Sequence, residues 1–149
     1  MLKRVCMAAA VLALATAPAF AADMCGASPV APLIPGAADL QGKTPEDAHK
    51  VASDAFKLVK IYQTALQPFY SCVEQQTASL KKDIDDATQK KDQAKIASLQ
   101  QSAADLDKKY QSTVGTEKQV VADYMALHNS YCAMGTGLAG CAPAPAAAH

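Results

Sequence analysis

Between Val51 and Ala87, apolar or small residues return every three or four positions, at 51, 55, 58, 62, 66, 69, 73, 80, 84 and 87, with Gln76 in the one polar place. That period marks one face of an amphipathic helix and is incompatible with the alternation of a strand. A second stripe runs through Ile96, Leu99, Ala103, Leu106, Tyr110, Val114, Val121, Tyr124, His128 and Tyr131, with Glu117 as its polar exception. Neither helix can bury its apolar face alone, so the two stripes must cover one another. The fold class is all-α.

Capping chemistry sets the borders. Thr44 is a natural N-cap, Pro45 suits the first helical position, and Glu46 and Asp47 place negative charge in the first turn. Lys90 and Lys91 suit a helix C-terminus, and Asp92 can cap the helix that follows. The expected architecture is a long antiparallel helical hairpin folded at about residue 91, of the kind seen in coiled coils. Pro68 falls inside the first helix, where it should kink it or divide it in two. Gly115, followed by the Thr116-Glu117-Lys118-Gln119 capping box, should break the second. Such breaks would convert the hairpin into a small three- to four-helix bundle. Residues 22–43, with Pro29, Pro32, Pro35, Gly26, Gly36 and Gly42, read as an irregular extended arm; residues 44–134 form the helical domain; residues 135–149 read as a flexible Gly/Pro/Ala tail.

Residues 1–21 read as a signal peptide: Lys3 and Arg4, an apolar run from Val5 to Phe20, and Ala19-Phe20-Ala21 ahead of a cleavage point between Ala21 and Ala22. The run holds about sixteen residues, short of the roughly twenty that span a bilayer. The expected location is periplasmic or secreted, with no stable membrane insertion after cleavage. The remaining chain carries 12 lysines, no arginine and 14 acidic residues. That composition argues against a nucleic-acid partner, which calls for a basic face and bidentate arginines.

Four cysteines stay in the mature chain, Cys25, Cys72, Cys132 and Cys141, an even count that predicts two disulfides. In a hairpin folded at 91, Cys132 lies about 22 residues, or ~33 Å, along the helix from Cys72. A disulfide requires α-carbons within about 7 Å, which disfavours that pairing. Cys72 with Cys141 would need the tail almost fully extended. The arm can reach about 60 Å, so the preferred pairs are Cys25–Cys72 and Cys132–Cys141.

The candidate chemistry is sparse. His128 and Cys132 stand four apart on one helical face, His49 falls level with residue 133, and Met125 and Met134 lie nearby, so a soft metal site can be drawn around His49 and His128. Against it, a cysteine in an oxidising compartment is usually a disulfide and a poor ligand, and His128 sits on the apolar stripe as a packing residue. Ser130, His128 and Asp123 form no recognised nucleophile motif, and neither Cys-x-x-Cys nor Cys-x-x-Cys-His occurs. No catalytic residue and no cofactor is assigned. The expectation is a non-enzymatic structural or interaction module, stapled by disulfides, that associates with itself or with a protein partner through its apolar stripes. The alternative is a small periplasmic metal or ligand carrier.

Overall fold

The computed structural model describes residues 25–141. The expected signal peptide, its cleavage point at Ala21 and Ala22, and the tail beyond Cys141 lie outside the described residues. Within them the chain forms a short 3-10 helix at Ala37–Leu40 and two long helices, α1 (Pro45–Gln89) and α2 (Gln93–Cys132).

Local chemistry explains where these elements begin and end. The Thr44 hydroxyl accepts the N–H of Asp47, Pro45 opens α1, and Glu46 and Asp47 sit where the helix dipole favours negative charge. Between the helices the turn holds no glycine; Lys91 takes the left-handed conformation instead, at φ 55°. Asp92 then caps α2 by accepting the N–H of Lys95.

Neither helix is divided. α1 continues through Pro68, and α2 continues through Gly115. Pro68 faces solvent between buried Leu66 and Phe69, whose burial outweighs the lost backbone bond. Around Gly115, Thr116 turns its hydroxyl back to the carbonyl of Ser112, as an interior residue does, and so makes no cap.

The helices run antiparallel, in a register that can be read from four contacts. His49 meets Tyr131, Phe56 meets Tyr124, Gln63 meets Glu117, and Tyr70 meets Tyr110. Each pair is equidistant from Lys90, and successive pairs are seven residues apart. The buried positions keep the same period. On α1 they are Ala48, Ala52, Ala55, Val59, Tyr62, Leu66, Phe69, Val73, Leu80 and Ala87; on α2 they are Leu106, Thr113, Val120, Leu127 and Tyr131. This seven-residue spacing corrects part of the stripes expected from the mean period. Val59 is buried, whereas Leu58 is 39% exposed. Thr113, Val120 and Leu127 are buried, whereas Val114, Val121 and His128 are only half-buried. Adjacent apolar residues left both choices open, and the partner helix selects the set that repeats every 3.5 residues.

A two-helix seam has two flanks, and the arm covers one of them. Cys25 is joined to Cys72, and the Lys109 ammonium donates to the carbonyl of Gly26. Farther along, Ala31 and Ile34 pack against the cluster of Val59, Tyr62, Leu66 and Val120, and Leu40 is buried with Ala48 and Leu127. The arm ends in the 3-10 helix, where the Gly36 N–H donates to the Asp39 carboxylate, and Gly42 at φ 72° turns the chain into α1. Beyond α2, Leu138 packs on the cluster that contains Tyr131, and Cys132 is joined to Cys141. The four cysteines therefore lie in two pairs, each with α-carbons 5.6 Å apart. Among the described residues no helix is long and apolar enough to cross a membrane.

Candidate functional site

The second flank is open, and it carries the unusual chemistry of the molecule. Cys72 and Tyr70 differ by two residues, about 200° around a helix, so the flank bearing Tyr70 lies opposite the arm. Side chains bridge it at heptad intervals, like rungs. At the free ends of the helices, the Tyr131 hydroxyl donates to the Ala139 carbonyl at 3.2 Å and contacts His49 Nδ1 at 3.1 Å. A hydrogen on His49 Nδ1 lets both contacts form at once, the ring donating to the hydroxyl and the hydroxyl to the carbonyl. His128 stacks on Tyr124, and Tyr124 leans on Phe56. His49, Phe56, Tyr124 and His128 surround a cavity of about 210 Å³.

At the third rung sits Glu117, half-buried, accepting from the Tyr70 hydroxyl at 2.7 Å and from Gln63 Nε2 at 3.3 Å. Burial, and then the Glu117 bond and charge, push the Tyr70 phenol well above its ordinary value of 10.0. Tyr62 moves the same way, through burial first and the Glu117 charge second. Glu117 was visible in the sequence as an interruption of the apolar stripe and as part of a capping box. Its role depends on Tyr70 and Gln63, which lie 47 and 54 residues away.

Tyr70 and Tyr110 then close edge to face, with centroids 5.6 Å apart. One heptad farther, at the register position shared by Thr77 and Ala103, both residues are small. The result is a groove of about 700 Å³ with Val73, Leu80 and Ala103 on its floor, and with Glu74, Lys81 and Asp107 along its edge. The aromatic pair walls one end.

The residues singled out from the sequence are distributed as follows. His49 and His128 share the small cavity. The Sγ of Cys132 stands 3.6 Å from His128 Nε2, but it is joined to Cys141. Met125 and Met134 are 48% and 37% exposed. Ser130 donates to the Ala126 carbonyl and Asp123 accepts from Gln119, so neither is directed at His128. Asp54, on the outer face of α1, is held by Lys50 and Lys57 at 2.8 and 3.0 Å; hydrogen bonds to the two ammonium groups lower its carboxyl to about 2. Comparison with protein-family models, with curated proteins and with solved structures finds no match.

Proposed function

We propose that the chain is an extracytoplasmic, non-enzymatic interaction module, and that the open flank pairs with the same flank of a second copy. The observation that carries this reading is the rung left unfilled at Thr77 and Ala103. Four rungs below it are built from large side chains, and this one leaves an apolar groove with a charged edge. Twenty-one residues away on the same flank, about 31 Å along the helix, Phe56 is 44% exposed. An isologous pairing about an axis level with residues 66 and 67 brings Phe56 of each copy over the groove of the other. The same operation sets Lys60, whose ammonium lies over the Phe56 ring, opposite Glu74. Shape and charge thus agree in one arrangement.

Export is supported by the leader-like residues 1–21 and by the two cysteine pairs at disulfide distance. Along the rungs the open flank offers two imidazoles, the Glu117 carboxylate and several phenols, arranged as packing and hydrogen-bonding partners of one another. The reading of the protein as non-enzymatic rests on that mutual engagement.

Sedimentation equilibrium of the oxidised chain tests the pairing. A reversible dimer is expected. Thr77→Leu, which fills the groove from within, and Phe56→Asp, which removes the side chain that enters it, should each weaken association at least about tenfold. Lys60→Glu and Glu74→Lys should each weaken it about two- to fivefold, and the double exchange should restore it. Val30→Asp, on the arm, should leave it unchanged. A strict monomer at about 100 µM, meaning association weaker than about 5.5 kcal/mol, would refute self-pairing.

A further inference from the structure

We infer that reduction of the Cys132–Cys141 pair converts the free end of the hairpin into a binding site for a thiophilic d10 cation, Cu⁺ above all, held by the two thiolates and His128. The ligand atoms are already assembled: the two Sγ atoms and a ring nitrogen of His128 all lie within 4.8 Å of one another. His128 and Cys132 are one helical turn apart on α2, with Nε2 and Sγ at 3.6 Å. Cys141 arrives from the loop after the helix.

The loop does not depend on the disulfide for its position. Leu138 is packed on the cluster of Ala52, Leu127 and Tyr131. The Tyr131 hydroxyl holds the Ala139 carbonyl, and the Cys141 N–H donates to the carbonyl of Leu138 at 3.1 Å. These three ties survive when the sulfur–sulfur bond opens, so the thiols stay close. Two soft thiolates and one imidazole are a donor set preferred by Cu⁺, which accepts three-coordinate geometry, and by Zn²⁺, which would add a fourth ligand.

Opening requires a dithiol reductant. One of its thiolates attacks a cystine sulfur and forms a mixed disulfide. Its second thiol then displaces the protein sulfur, leaving the reductant as a disulfide and Cys132 and Cys141 as two thiols. Both electrons and both protons come from the dithiol. The cation then displaces the two thiol protons as it binds. While the pair is oxidised, both sulfurs are committed to each other and His128 is the single ligand left. The site is therefore gated by redox state, a property separate from the pairing of the open flank.

The test uses the full mature chain, reduced and held anaerobically, titrated with Cu⁺ against a chromophoric chelator. Reduction also frees Cys25 and Cys72, so binding is mapped by alkylation and mass spectrometry on the same sample. We expect one tightly held equivalent, with Cys132 and Cys141 protected from alkylation at least about tenfold and Cys25 and Cys72 still labelled. His128→Ala should lower affinity by about tenfold or more, and Cys132→Ser should abolish the tight equivalent. The oxidised chain should retain no Cu⁺ in the same competition. The proposal is overturned by protection that falls on Cys25 and Cys72 instead, by a His128→Ala variant that binds like the parent, or by equal retention in the oxidised chain. Circular dichroism of the reduced parent checks that the helices persist; loss of helicity on reduction would overturn the claim that the loop is held independently.

Discussion

Tyr70→Phe removes the shorter of the two hydrogen bonds that join the helices through the Glu117 carboxylate. The Tyr70 hydroxyl donates to Glu117 at 2.7 Å, and the remaining donor, Gln63, is longer at 3.3 Å. A hydrogen bond to a charged group contributes about 1.5–3 kcal/mol net, and because both partners are half-buried the loss should fall near the lower end, about 1–2 kcal/mol. For the 117 described residues the unfolding entropy is about 0.25 kcal/mol per degree, so the midpoint should drop by about 4–8 °C. A double-mutant cycle with Glu117→Ala should return a coupling of about 1–2 kcal/mol. The pH dependence carries a definite sign. The Tyr70 phenol is raised in the fold above 10.0, so its contribution is complete below pH 10.0 and is lost as the pH climbs through the raised value. The gap between parent and variant should therefore hold constant through neutral pH and close in alkali. Thermal melts followed by helical circular dichroism from neutral pH into alkali measure all three quantities. A coupling below about 0.3 kcal/mol, or a gap that widens in alkali, would refute the reasoning.

Four further outcomes follow from the backbone, the staples and the charges. Pro68→Ala restores an interior helical N–H at an exposed position and should raise stability by about 1–3 kcal/mol, checked by urea unfolding. Lys91→Gly should add about 0.5–1 kcal/mol in the same assay, because φ 55° costs a side-chain-bearing residue more than glycine. Replacing Cys25 and Cys72 by serine opens a 47-residue loop, for which chain entropy predicts a loss of about 4 kcal/mol, together with faster proteolysis near Ala31. An NMR titration should place the Asp54 carboxyl near 2, so its contribution is present above the ordinary value of 3.8 and is lost as pH falls through 2; a midpoint at 3.8 would show that Lys50 and Lys57 do not hold it.

The helical class, the start at Thr44 and the turn near Lys91 were legible because they rest on local chemistry: period, caps and a change of charge. The arm was legible as a break from helix tied back to Cys72, but not in its path. Its route along the seam depends on where Ala31 and Ile34 find gaps between Val59, Tyr62 and Val120, which no local pattern encodes. The stripe on α2 held at Leu106 and Tyr131 but was misplaced by one residue at 114, 121 and 128, because Val120 and Val121 are chemically alike and Leu127 stands beside His128. A mean period cannot separate such neighbours; the partner helix can. Pro68 and Gly115 misled for a related reason, since propensity at one position is outweighed by burial on either side. Glu117 was conspicuous in sequence, yet its meaning needed the register, which sets it opposite Gln63 and beside Tyr70.

The same register explains why the groove and the thiol site should behave as separate devices. Thr77 and His128 belong to rungs about 25 residues apart along the seam, or ~37 Å. Substitutions more than about 10 Å apart with no shared partner add to within about 0.5 kcal/mol. Thr77→Leu should therefore leave Cu⁺ affinity of the reduced, monomeric chain unchanged. On the open flank the column of rungs at Phe56–Tyr124, Gln63–Glu117 and Tyr70–Tyr110 lies between them. If the two substitutions prove coupled by more than about 0.5 kcal/mol, that column must carry strain from one end to the other, and Tyr70→Phe at its centre should abolish the coupling.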